Sequence, residues 1–264
     1  MSITYDYTAK SIIVTGGTKG VGRGIAEAFL AAGAVVYICG RNAPQVPIAF
    51  GDNEARFIAA DVRKPEESQA IIDQVIHDCG RLDVLINNAG GSPPVKASDA
   101  PYRLSEAIIR LNLIAPLVFS QQAYLAMRNN PEGGAIVNIA SVSGVRPSPG
   151  TAAYGAAKAG LINLTRSLAQ EWGADNIRVN AIIAGLIKTE AAEDHYAGKP
   201  GIRLIEESLP MKRMAIPEDM ANACLFLASE VSSYVSGAAM EVYGGGEPPS
   251  FLKMAEDAHK LANQ

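Results

Sequence analysis

Seven short runs of β-branched and aliphatic residues punctuate the 264-residue chain: SIIVT at Ser11, VVYIC at Val35, ARFIA at Ala55, LDVLI at Leu82, AIVNIA at Ala135, IRVNAI at Ile177 and AMEVY at Ala239. Their apolar character is continuous rather than alternating. Strands of that kind are buried on both faces, as in a parallel sheet covered by helices on each side. The stretches between the runs are long enough for crossover helices. The expected class is therefore α/β, a doubly wound seven-stranded parallel sheet flanked by helices, in one domain over 1–264. The longest stretch, Tyr102 to Asn130, places Ile108, Leu111, Ala115, Val118 and Leu125 at helical spacing and predicts a core or interface helix. The loop GGSPPVKASDAP, Gly90 to Pro101, follows a strand and precedes that helix, and reads as an active-site loop.

Composition narrows the function classes. Hydrophobic residues make up 48% and charged residues 19%, as in folded globular chains. A net charge of -4 argues against a nucleic-acid surface. The start, MSITYDYTAK, lacks the basic and apolar regions of a signal peptide, and no run approaches the roughly 18 apolar residues of a membrane span. A cytoplasmic address is expected. Cys39, Cys79 and Cys224 are widely separated and lack metal-ligand spacing, so they read as reduced thiols and no metal is expected.

The first strand runs into TGGTKGVGRGIA, Thr15 to Ala26, with glycines at Gly16, Gly20 and Gly22. The spacing G-x-x-x-G-x-G differs from the common G-x-G-x-x-G fingerprint, yet the physics is shared. Glycines let the backbone turn tightly and approach a pyrophosphate, whose charge is met by free N–H groups at the start of the next helix. The second strand ends in YICGRNA. No acid stands there to hold a ribose 2'-hydroxyl; Arg41 and, in the glycine turn, Lys19 are cations suited to a 2'-phosphate. That pattern favours NADP(H) and leaves NAD(H) open.

YGAAK, Tyr154 to Lys158, puts a phenol and an amine on one helix face at i and i+4. A free phenol has a pKa near 10, so exchanging protons at neutral pH requires help, and an adjacent ammonium favours the phenolate.

Taken in order, TGGTKGVG, Asp61-Val62, NNAG at Asn87 to Gly90, Asn112, NIASVSG from Asn138, YGAAK and NIRVNAIIAG from Asn176 resemble the short-chain dehydrogenase/reductase family, 3-oxoacyl reductases in particular, from about Ser11 to Gly246. The resemblance implies a Rossmann fold and a hydride-transferring enzyme. It implies Tyr154 as catalytic acid or base, Lys158 as its electrostatic partner and a ribose ligand, Ser141 as the hydroxyl orienting the carbonyl, and Asn112 as the anchor of a water relay. It further implies cofactor contacts from Gly16, Thr18, Lys19, Gly20, Val21, Gly22, Arg41, Asp61, Val62, Asn88, Ala89, Gly90, Tyr154, Lys158, Ile187 and Thr189. Asn87 is equally well a strand-end hydrogen bond, and Ser143 reads as structural. Family members commonly form homotetramers.

Two departures stand out. Ala184-Gly185 replaces the family's Pro-Gly, which predicts a looser entry to the nicotinamide pocket. The extension 247–264 can form an apolar stripe of Phe251, Leu252, Met254, Ala255, Ala258 and Leu261 that covers a neighbouring subunit's pocket or packs on its own domain. Substrate choice is expected from the Gly90–Pro101 and Val145–Thr151 loops and from 186–211, where Leu204, Ile205, Leu209 and Met211 suggest an apolar pocket and His195 and Tyr196, with Arg146, suit a polar tail. A 3-oxoacyl thioester, a cyclic ketone and a steroid-like ketone fit. Two other readings are an NAD-dependent secondary-alcohol dehydrogenase and a non-catalytic NADP-binding sensor.

Overall fold

The computed structural model describes residues 4–190, 192 and 196–262; His195 lies outside them. All seven expected strands form: β1 (Ser11–Thr15), β2 (Val35–Gly40), β3 (Arg56–Ala59), β4 (Val84–Asn87), β5 (Gly134–Ile139), β6 (Ile177–Ala184) and β7 (Ala239–Val242). They pair in parallel throughout, in the order β3-β2-β1-β4-β5-β6-β7. The order reverses between β1 and β4, so the crevice that binds ligands in such sheets opens beyond the carboxyl ends of these two strands. The glycine turn follows β1 and NNAG follows β4, which brings both to that crevice.

Among the described residues the helices are α1 (Gly20–Ala31), α2 (Pro65–Cys79), α3 (Tyr102–Ile109), α4 (Ala115–Met127), α5 (Ala152–Trp172), α6 (Gly198–Ser208), α7 (Pro217–Ala228) and α8 (Ser250–Ala262), with α1 and α7 covering one face of the sheet and α2, α4 and α5 the other. Successive residues of β1 serve opposite cores. Ile12 and Val14 pack with Phe29 and Met220 of α1 and α7, whereas Ile13 packs with Val75, Phe119 and Leu168 of α2, α4 and α5. Being apolar on both sides is what the uninterrupted hydrophobic runs required.

The single helix expected over Tyr102–Asn130 is broken. A π-helical turn, Arg110–Ile114, joins α3 to α4, with the Ala115 amide bonded to Arg110 O five residues back. Pro116, which has no N–H to offer Asn112 O, sits in the first turn of α4. A hairpin of Ala49–Phe50 with Asn53–Glu54 also forms, which the strand pattern did not reveal.

Ala184 is buried as the last residue of β6, opposite Val242, and Gly185 N donates to Val242 O at 3.1 Å. The extension does form a helix, α8, yet Phe251, Leu252, Met254 and Leu261 are all exposed, so this chain does not cover the stripe. The three thiols are free; Cys39 and Cys224 are buried, and burial pushes the Cys39 pKa up to about 12.

Candidate active site

The carboxyl end of β5 leads directly into Ser141, the N-cap of a short 3-10 turn, Val142–Gly144. The Ser141 hydroxyl accepts from Ser143 N at 3.2 Å. The turn is seated tightly on α5: a Cβ at Gly144 would lie 2.8 Å from the Lys158 carbonyl carbon and 2.9 Å from Ala159 N, so no larger residue fits. This contact sets Ser141 against the helix that carries Tyr154 and Lys158. Burial pushes the Tyr154 phenol above its ordinary value; the adjacent Ser141 hydroxyl, through hydrogen bonding, draws it down in part, and Tyr196 adds to the rise. In the chain alone, the downward shift expected from Lys158 is therefore absent.

Lys158 is buried, with its ammonium 5.6 Å from the centre of the Tyr154 ring and donating to Ile139 O at 2.7 Å. Burial alone lowers its pKa to about 8. The phenol and the amine thus share a helix face, and the amine points back to the carboxyl end of β5. On the other side of Lys158 lies Asn112, in the π turn. A Cβ at Gly90 would be 2.6 Å from Asn112 Oδ1 and 3.3 Å from Lys158 Nζ, so the three groups are neighbours. Asn112 Oδ1 accepts from Gly91 N, and its Nδ2 donates to Gly91 O and Ile108 O, each at 2.9 Å. Asn112 therefore holds the start of the Gly90–Pro101 loop as well as bordering the lysine.

The glycine turn is clamped by β4. Thr15 Oγ1 donates to Ile86 O at 3.2 Å and accepts from the amides of Asn88 and Ala89 at 2.9 Å, while Asn88 Nδ2 donates to Thr15 O at 2.8 Å. Thr15 was not singled out in the sequence, though its place at the end of β1 is the signal. Any side chain at Gly22 would collide with the turn, since a Cβ there would meet Gly16 O at 2.4 Å and Asn88 Nδ2 at 2.5 Å. Thr18 faces Gly40 from within the turn, Val21 packs on the core, and Ile187 bridges to Ala215. Thr189 lies beside Gly20. Asn87 is buried and donates to Ser120 Oγ and Asn138 Oδ1, and Asn138 donates in turn to Thr165, so its role is within the core.

At the far end of the crevice Arg41 is exposed after β2 and Lys19 is exposed at the head of α1. Asp61 is gripped by Arg63, whose Nε donates to both carboxylate oxygens at 2.8 and 3.1 Å. That hydrogen bonding, with Arg41 contributing, holds the Asp61 pKa at about 2. The Val62 side chain belongs to the core on the α2 side.

A family model described as enoyl-(acyl carrier protein) reductase matches residues 16–247. The 3-oxoacyl-(acyl-carrier-protein) reductase FabG of Chlamydia muridarum is 36% identical over 246 residues, covering 89% of this chain and 96% of that protein. The chain belongs to the short-chain dehydrogenase/reductase family. The 3alpha-hydroxysteroid dehydrogenase of Mediterraneibacter gnavus is also 36% identical, over 244 residues, with the same two coverages. Among solved structures, a short-chain type dehydrogenase/reductase from Mycobacterium marinum superposes with a TM-score of 0.85 at 30% identity, covering 93% of this chain and 98% of that one. This short-chain dehydrogenase/reductase is accordingly an NAD(P)-dependent oxidoreductase with a Rossmann fold. The cradle fits the cofactor. The turn has no room for a side chain at Gly22, and the head of α1 has no cap from the Lys19 side chain and no acid in its own first turn.

The segment after β6 is divided. Leu209 is buried with Ala192, Ile202 and Met214, and Ile205 and Tyr196 pack against that cluster. Leu209 is thus core rather than pocket wall, whereas Leu204 and Met211 are exposed. Arg146 Nη2 donates to Glu247 Oε1 at 2.6 Å, tying the loop after Ser141 to the first residue of the extension.

Proposed function

We propose that the chain is an NADP(H)-dependent carbonyl reductase that transfers a hydride between nicotinamide and a ketone or secondary alcohol, on a mainly apolar substrate such as a 3-oxoacyl thioester or a cyclic ketone. The observation that carries this reading is the convergence of Ser141, Tyr154 and Lys158 at the end of β5, with Asn112 behind the lysine. The names of the relatives, a 3-oxoacyl reductase and a hydroxysteroid dehydrogenase, agree with that substrate range.

The bound nicotinamide supplies the hydride. The protein's part begins with Ser141, whose hydroxyl orients the carbonyl oxygen toward Tyr154. Tyr154 gives that oxygen its proton, and in the reverse direction takes one. The Lys158 ammonium lowers the cost of the phenolate left behind. Asn112 anchors the relay that returns a proton to this pair, and its hold on Gly91 keeps the substrate loop in register. In this reading the Gly90–Pro101 loop, Val145–Thr151 and 186–211 line the substrate space. A cytoplasmic address suits the three free thiols.

Arg41, assisted by Lys19, underlies the choice of NADP(H). Arg41→Asp should move preference toward NADH, because a carboxylate repels a 2'-phosphate and accepts from a 2'-hydroxyl. The check is the ratio of kcat/KM for NADPH and NADH, expected above one in the wild type and inverted in the variant. A wild type that already prefers NADH would favour the NAD-dependent alcohol dehydrogenase instead.

Assembly into a homotetramer is supported by Tyr102, Ile109, Ile114 and Leu125, large apolar residues exposed along α3, the π turn and α4. A groove of about 260 Å³ lies among them, lined by Tyr102, Ile109 and Ile114 together with the polar Ser105, Glu106 and Arg110. Sizing of the wild type should give four copies; a monomer contradicts this. The Arg146–Glu247 bridge and the exposed stripe of α8 support a role for 247–264 near a substrate entrance. Truncation after Gly246 should raise KM by roughly three- to tenfold, the scale of about one kcal/mol. An unchanged KM and stability would remove that role.

A further inference from the structure

The head of α1 carries no acid of its own and no side-chain cap from Lys19. Its positive end is met from elsewhere. Glu190 Oε1 accepts from Gly20 N at 3.4 Å, across 170 residues of sequence. The second carboxylate oxygen lies 3.7 Å from where a Cβ of Gly20 would stand, beside Thr189 Cγ2 at 3.5 Å. Gly20 holds φ at +55°, which turns the chain from the glycine loop into the helix at this point. A strand, a glycine turn and a helix head are where this fold takes up a dinucleotide pyrophosphate. A carboxylate on the same amide competes for the same donor and repels the same charge. Lys188, the nearest cation on that segment, is directed to Glu206 at 3.3 Å.

We propose that Glu190 is an internal anion standing at the pyrophosphate position of α1, which the cofactor displaces on binding, so that Glu190 sets cofactor affinity. The inference rests on the family's cofactor position and not on the choice between NADP and NAD, since both carry the pyrophosphate. Glu190 is exposed and next to Thr189, so rotation of its side chain is enough to free the Gly20 amide. The same carboxylate stabilises the helix head while the site lacks a dinucleotide.

The test is equilibrium binding by calorimetry, with ADP-ribose as the pyrophosphate-bearing probe and adenosine as its phosphate-free control. Glu190→Gln and Glu190→Ala should each bind ADP-ribose about three- to tenfold more tightly than the wild type, with adenosine unchanged and the gain shrinking at high salt. Thermal unfolding without ligand should show the variants folded and no more stable than the wild type. ADP-ribose binding that is unchanged or weaker in both variants overturns the proposal, as does an equal gain for adenosine. No ketone and no turnover enter the measurement, so failure of the carbonyl-reductase reading leaves this result legible, and an inverted NADPH preference leaves it untouched.

Discussion

Replacing Tyr154 by Phe should lower turnover by about two or more orders of magnitude, the scale on which a positioned acid–base group acts, while leaving NADPH affinity within about twofold. Only the hydroxyl is removed. The ring keeps its place above the Lys158 ammonium, and the Ser141 turn keeps its seat on α5 through Gly144. Folding should therefore be preserved, as circular dichroism and cofactor fluorescence would report. Stopped-flow and steady-state rates then isolate the proton step. A variant that retains near wild-type kcat would remove Tyr154 from the chemistry. Because burial raises the phenol's pKa in the chain alone, the help a phenolate needs must come from Lys158 acting with the cationic oxidised nicotinamide, and the loss should appear in both directions of the reaction.

Lys158→Met should produce a comparable loss of turnover together with weaker cofactor binding, yet without ligand the variant should be at least as stable near pH 7. The reason is burial without a carboxylate partner, which lowers the lysine pKa from 10.5 to about 8. Below pH 8 the lysine is protonated in the folded and unfolded chain alike, and the cost of burying its charge is fully present. Between about 8 and 10.5 the unfolded chain holds a proton that the folded one has released, so stability rises with pH. The rise amounts to roughly 3 kcal/mol, taking about 1.4 kcal/mol for each unit. Buried phenols and thiols titrate in the opposite sense over neighbouring ranges, so the quantity to measure is the difference in unfolding free energy between wild type and Lys158→Met from pH 7 to 10. A difference that does not change with pH contradicts the buried, depressed lysine.

The strands were legible because parallel strands covered on both faces must be apolar at every position, and Ile12, Ile13 and Val14 show that requirement directly. The helix break at Asn112 was not legible. An apolar period of 3.6 continues through a π turn, and only Pro116 marks the change. Tyr154 and Lys158 could be paired from a spacing of four, which is local geometry. Ser141 joins them through a turn pressed on α5, and that contact lies beyond any single window of sequence. Long-range polar contacts were hidden for the same reason: Thr15 to Asn88, Arg146 to Glu247 and Glu190 to Gly20 each join residues that pattern alone cannot associate. By sequence alone the apolar residues in 186–211 make one pocket wall, but Leu209 closes a small core while Leu204 and Met211 are exposed. Hydrophobicity identifies residues that seek cover without saying which element supplies it.

Consumption of NADPH in the presence of a panel of ketones, followed at the absorbance band of the reduced nicotinamide, tests the central claim most directly. The account predicts ketone-dependent oxidation with a 3-oxoacyl thioester or a cyclic ketone, matched mole for mole by the secondary alcohol formed and lost in Tyr154→Phe. Tight binding of NADPH with no ketone-dependent consumption across the panel, and no reverse reaction with the alcohols, would contradict it and leave a cofactor-binding sensor in its place.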